Sequence, residues 1–434
     1  MKPFFLLIEL FGYGFALYVL LKKKELAILY LPVLIFINNL IEPVFPASVF
    51  YLTVSVLVFS LIYKNPTYYK YNIPAFILFF YILALLPRSS DLVLIRPYVF
   101  SILWLLTIIP TIHAIYLKYS RKTIFDELTQ SALIILTLFI LNALVSTLKG
   151  YSPKEMYGIT SGILYGNVYA AGFNVLAIST FILALGSIVN KKYLNLSVLF
   201  LSFGFLMLSM RRSVMGVSVL GLGLAYLSLF TREKAKIFFL LGAVTIALGF
   251  LIYTTTDFSA ELMQRYELRK LDERELDEEK RFFEYELLYK DMFIYRDYSP
   301  LIGYELFNSW GNYGRGILED RSLHGDLTNI THSSGLIGLF LYLAMVITSF
   351  WKSFKASQTR TDKLVILFCI ITFIVFTITG RYTEIASMLM LFLILMLPIT
   401  KDHIEQETPP EPEPADNYLK LKPEYPVFSN QKVS

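Results

Sequence analysis

The sequence predicts an all-α, polytopic membrane protein. Three observations predict it. The 434 residues are 56% hydrophobic and only 17% charged, with a mean hydropathy of +0.57, whereas soluble domains carry about 25% charge. Apolar runs of about 17 residues or more recur along the chain, the length that crosses a bilayer core. Basic residues fall in the connections between runs with a regular alternation, as orientation by positive charge requires. A helix bundle satisfies so much buried backbone; a barrel is excluded, because its strands would alternate in polarity.

Taken in order, the apolar spans fall at 3–21, 26–41, 47–63, 73–87, 97–117, 131–147, 168–188, 193–210, 213–231 and 237–254, and, after a long polar loop, at 334–350, 364–379 and 384–400. The first run lacks a small-residue cleavage site before Lys22, Lys23 and Lys24 and is read as a span. The two shortest early spans are open to a partial or re-entrant reading. Four regions result: an N-terminal bundle over 1–254, a large loop with short helices over 255–333, C-terminal spans over 334–400, and a tail over 401–434 whose proline and glutamate content predicts disorder.

Lys22–Lys24 share one side with Lys64 and Lys70, with Lys118, Arg121 and Lys122, with Lys191 and Lys192, with Arg232, Lys234 and Lys236, and with Lys352, Lys355, Arg360 and Lys363. That side is expected to be cytoplasmic, with the tail inside and the N-terminus outside. The opposite side then receives residues 151–167, the Arg211–Arg212 pair, the loop 255–333 and Arg381. The loop has helical spacing and dense charge up to about 293, then turn formers at Pro300, Gly303, Gly311 and Gly314.

Few residues in this pattern can carry chemistry. The single cysteine, Cys369, rules out internal disulfides and tetracysteine metal sites. No HExxH or CxxC is present, and His324 and His332 are not at metal-ligand spacing, so neither a metal nor another cofactor is expected. Nor is a nucleic-acid partner. Arg211 and Arg212 stand where two apolar spans meet. They either snorkel to the interface or receive an anion, for which the planar guanidinium fork suits pyrophosphate. Arg281 has the same two readings, a solvated helix face or an anion contact. His324 and His332 are polar residues at a helix entrance or, on the outer side, candidates for a general base. His113 and His403 are incidental. Glu9, in the first span, is the main ionisable residue placed away from the interfaces.

His324 is followed eleven residues later by Gly335, then Gly338, then "LFLYLAMV". This resembles the signature of the O-antigen ligase and O-antigen polymerase superfamily. Gly325 stands where that signature carries asparagine, serine or glutamine. "TSGILYGNVYAAGFNVLA" resembles the family's glycine-rich turn and points to Gly162, Gly166 and Asn167. "LMLSMRRSVMGVSVLGLG" resembles its arginine before a small residue, matched by Arg212 with Arg211 as the alternative. "RFFEYELLYKDMFIYRDYSPLIGYELF" resembles its loop arginine and P-x-x-G-x-G turn, giving Arg281 and the turn at 300–303, with Glu305 at the second glycine position.

The resemblance implies a fold like the C-type membrane glycosyltransferases and transfer of a glycan from undecaprenyl pyrophosphate at the outer face of the bacterial inner membrane. It implies inversion at the anomeric centre without a metal. Arg212, Arg211 and Arg281 would bind the pyrophosphate, with Asn167 and His332 also in the binding site, and His324 would be the base. Gly335 and Gly338 would let the following helix pack closely and hold the preceding loop over the site. Partners would be the lipid-linked glycan, a glycan or lipid acceptor and a chain-length regulator protein. The motifs do not separate polymerase, ligase and protein glycosylation. Polymerisation of surface-polysaccharide repeats is expected as the commoner reaction, with ligation to lipid A–core as the alternative. From another class, a secondary transporter is opposed by the lack of an internal repeat.

Overall fold

The computed structural model describes residues 2–150, 172–190, 193–209, 211–228, 280–318, 322–379 and 384–400, with isolated positions at 243, 247 and 263. Among the described residues the regular structure is helical, and β-structure is limited to one isolated bridge, Ser299 to Gly303. Seven helical stretches are long and apolar enough to cross a membrane, and four shorter apolar helices accompany them. Large apolar side chains stand open on the flanks of the bundle: Leu7 is 66% exposed, Phe59 68%, Phe340 71% and Ile347 64%. Exposure on that scale suits lipid.

The first expected pair of spans forms a hairpin. Helix α1 (Lys2–Tyr18) runs through a π-turn to Lys23. A 3-10 turn (Lys24–Tyr30) then leads into α2 (Leu31–Asn39). Lys24 has φ +54°, marking the reversal. Phe15 meets Tyr30 edge to face, and a Cβ on Gly12 would lie 3.0 Å from Ile37. The nine residues of α2 continue directly from the seven of the 3-10 turn, and together they cover most of the expected 26–41 span. Glu9 is buried, and its carboxylate accepts hydrogen bonds from the Val44 and Phe45 amides and from Tyr13 Oη. It satisfies the loop that follows α2.

Helices α3 (Ala47–Lys64) and α4 (Ile73–Leu85) follow, and Asn72 caps α4 by accepting from the Ala75 amide. Helix α5 (Leu92–Tyr116) starts five residues before the expected 97, because the Asp91 side chain caps the Val93 and Leu94 amides and carries the helix through Pro97. Helix α6 (Arg121–Leu148) starts ten residues before the expected 131. Its polar first turns, capped by Ser120, continue the helix beyond the apolar stretch. Helices α7 (Gly172–Asn190), α8 (Tyr193–Leu208) and α9 (Arg212–Ser228) match their spans within a few residues. The expected span at 237–254, residues 151–167 with Asn167, Arg381 and the tail lie outside the described residues.

Helix α10 (Lys280–Tyr289) opens the described part of the long loop. Helix α11 (Asp326–Ala356) begins eight residues before the expected 334 and contains a break at Gly335. Helices α12 (Arg360–Thr379) and α13 (Ile385–Leu395) complete the bundle. Every residue of α13 is buried, as expected of a helix apolar all round at the centre of a membrane bundle.

The two ends of the bundle differ in charge. At one end Lys23 bonds Glu127 at 2.7 Å, Lys118 bonds Glu25 at 2.7 Å, Arg121 pairs with Asp362, and Lys352 donates to the Tyr71 carbonyl at 2.5 Å. Residues from basic clusters far apart in sequence thus converge, as the alternation predicts. At the other end lie the loop over 298–334 and, by the alternation of helix direction, Arg211 and Arg212. Phe139 on α6 packs against Phe173 on α7, while a Cβ on Gly186 would meet Thr129, so α6 and α7 are antiparallel. Arg211 lies over Phe173, at the end of α7 remote from the basic clusters.

Candidate functional site

The site is built on the break in α11. Gly335 has φ +68° and ψ −170°, a conformation open essentially to glycine alone. The break leaves backbone groups of both helical pieces to be satisfied from outside, and the turn at 300–303 supplies the partners. The Leu336 amide donates to the Pro300 carbonyl at 2.9 Å and the Ile337 amide to the Leu301 carbonyl at 3.2 Å. In return, the Tyr304 amide donates to the His332 carbonyl at 2.7 Å and the Phe307 amide to Ser333 Oγ at 3.1 Å. Arg88 locks the turn from behind, donating to the carbonyls of Ile302, Gly303 and Tyr304 at 2.8–2.9 Å. The loop is therefore wedged into a membrane helix. Of the two glycines expected to let this helix pack closely, Gly335 lies against the Leu301 and Ile302 backbone, while the space at Gly338 is taken by Ser334 of the same helix.

A small platform sits above the wedge. In and just after α10, Glu284, Leu287, Leu288 and Asp291 are buried, an i, i+3, i+4, i+7 stripe that mixes two leucines with two carboxylates. Leu287 packs with Tyr313 and Leu323. Asp291 accepts from the Gly314 amide at 2.7 Å and from Tyr298 Oη at 3.2 Å, and burial raises its pKa. Arg315 grips Asp297 through two hydrogen bonds at 2.9 and 2.8 Å.

Glu284 is the most connected acid of the platform. Its side chain is fully buried at the N-terminal approach to α11. Oε2 accepts from the His324 amide at 2.9 Å and from the Gly325 amide at 3.3 Å; Oε1 lies 3.2 Å from His324 Nδ1. Burial alone would raise its pKa, but the hydrogen bonds from the His324 ring and backbone and the Gly325 amide outweigh burial and hold it below the usual carboxylate range. Tyr285, the next residue, feels Asp326 and Glu284, and its pKa is raised by burial first and then by these two acids.

The expected site residues fall in different settings. His324 is half-buried, just before α11, and paired with Glu284. His332, expected among the substrate-binding residues, is 0% exposed inside α11. Its Nε2 bonds the Asn312 carbonyl at 3.0 Å, and the rings of Tyr298, Tyr304 and Tyr313 surround it. From there it packs the platform and reaches no solvent. Arg212 is exposed at the start of α9, and Arg211 lies with its guanidinium 4.6 Å from the Phe173 ring centre. Arg281 stands on α10 one turn before Glu284. Among the described residues no group of three or more metal-ligating side chains converges.

Sequence reasoning passed over Glu284, Asp291 and Arg88. A signal for the first two was present: acids at 284 and 291 in register with Leu287 and Leu288 place charge on the apolar face of the helix. Arg88 carried no such signal, because its partners are backbone carbonyls more than 200 residues away.

Fold and site together define an all-helical, multi-pass membrane protein with a polar platform wedged into one end of its bundle. No protein-family model matches the chain, and no curated protein does.

Proposed function

We propose that this chain transfers a glycan from undecaprenyl pyrophosphate at the outer face of a bacterial inner membrane, polymerising surface-polysaccharide repeat units. The single observation that supports it best is the His324–Glu284 pair. A histidine held by a buried acid lies at the end of the bundle opposite the basic clusters, the end that also carries Arg211 and Arg212. In this reaction the acceptor hydroxyl attacks the anomeric carbon, the bond to pyrophosphate oxygen breaks, and His324 takes the hydroxyl proton. Arg212, with Arg211 and Arg281, stabilises charge developing on the departing undecaprenyl pyrophosphate. The motif resemblance supplies the donor; Glu9, occupied by loop amides, speaks against a proton-coupled transporter.

Sidedness tests the reading. A reporter fused near Gly314 is expected to be active outside the cytoplasm, and one fused after Lys401 inside it. The reverse pattern would put His324 in the cytoplasm, away from any flipped lipid-linked glycan, and end the proposal.

The arginines give a second check. Arg212→Ala is expected to abolish surface glycan at a normal membrane level of protein. Arg212→Lys should recover little, since lysine lacks the bidentate fork. Full glycan from the alanine variant would transfer the role to Arg211.

A further inference from the structure

We infer that Glu284 is a positioning residue that fixes the tautomer of His324, so that Nε2 is the nitrogen that takes the acceptor's proton. This rests on the glycan-transfer reading above. The argument starts from donor count. Glu284 receives two backbone amides on Oε2, from His324 and Gly325, and faces the imidazole Nδ1 with Oε1. An ionised carboxylate accepts and cannot donate. The hydrogen bonds that converge on Glu284 favour its ionised form. Nδ1 must then carry the hydrogen, and a neutral imidazole with hydrogen on Nδ1 has its basic lone pair on Nε2.

The same carboxylate fixes the ring in space. Because Oε2 holds the backbone on either side of the 324–325 peptide, the histidine main chain and ring are set by one rigid acceptor. That acceptor is itself anchored on α10 by the burial of Leu287 and Leu288. As Nε2 takes the proton from the attacking hydroxyl, the imidazolium is stabilised by the Glu284 charge. The new bond forms between the acceptor oxygen and the anomeric carbon, and the electron pair of the broken bond leaves with the pyrophosphate. Among the described residues, Tyr285 on α10 feels the charge of Glu284 and of Asp326 on α11.

The test compares Glu284→Gln, Glu284→Asp and His324→Ala in purified full-length protein with lipid-linked repeat as substrate. Glutamine keeps the size and one acceptor oxygen. With that oxygen on the two backbone amides, its NH2 faces Nδ1 and forces the hydrogen onto Nε2. Glu284→Gln should therefore lose about 10²-fold or more in kcat with KM within about twofold. Glu284→Asp, which keeps charge and acceptors, should recover part of kcat. The inference is overturned, with the base role of His324 intact, if Glu284→Gln turns over normally while His324→Ala is dead. It is equally overturned if the aspartate variant is no better than the glutamine variant. An active His324→Ala would sink both the inference and the reading beneath it.

Discussion

His324→Ala is expected to lower glycan transfer by about 10²–10⁴-fold, the usual contribution of a general base, and to leave lipid-linked single repeats to accumulate. The ring is half-buried and makes its described hydrogen bond to Glu284, so alanine should leave protein levels in the membrane close to normal. His332→Ala should behave differently. That ring is enclosed by three tyrosines and bonded to the Asn312 carbonyl. Its removal opens a cavity in the platform, lowering the yield of folded protein while the specific activity of what remains changes far less. The comparison is made on purified protein, with turnover normalised to folded material. Wild-type turnover by His324→Ala would remove the base from the mechanism.

Gly335→Val is expected to be the most destabilising single substitution in the platform. The left-handed backbone alone costs about 1–3 kcal/mol for a residue with a side chain. A Cβ at 335 would also collide with the Leu301 carbonyl and the Ile302 amide, which are backbone and cannot rotate away. The wedge must shift, and with it the caps on Leu336 and Ile337. Gly216→Ala in α9 is the control: nothing lies within 4 Å of its added methyl. Thermal unfolding in detergent should show a clear drop for position 335 and little change for 216. Equal midpoints for wild type and Gly335→Val would mean that the break does not depend on glycine.

Much of the bundle was legible because membrane helices must be apolar and nearly continuous. The spans at 47–63, 168–188 and 364–379 needed nothing but hydropathy, and the basic clusters of Lys23, Lys118 with Arg121, and Lys352 met at one end as their alternation required. Boundaries failed where a polar cap extended a helix beyond its apolar run. Asp91 did this for α5, Ser120 for α6, and the glycine break allowed it for α11. Within the site, His324 was legible from its spacing to two glycines, whereas its partner was not. Glu284 sits in a stretch where charge is common, and only its register with Leu287 and Leu288 sets it apart. The role of Arg88 depends on long-range backbone contacts that no local pattern encodes.

The wedge also bears on how the protein is made. In α11 the lower piece starts with amides, at Leu336 and Ile337, that have no partner within their own helix. In a bilayer such donors cost several kcal/mol each, so this piece would not rest at its final depth by itself. The carbonyls that complete it, on Pro300 and Leu301, come earlier in the chain. Translation delivers them first, so the acceptors for this helix are made before the helix leaves the ribosome. The order of residues is thus also an order of assembly, and a permuted chain that emitted α11 before the loop would insert a helix with an unfinished end.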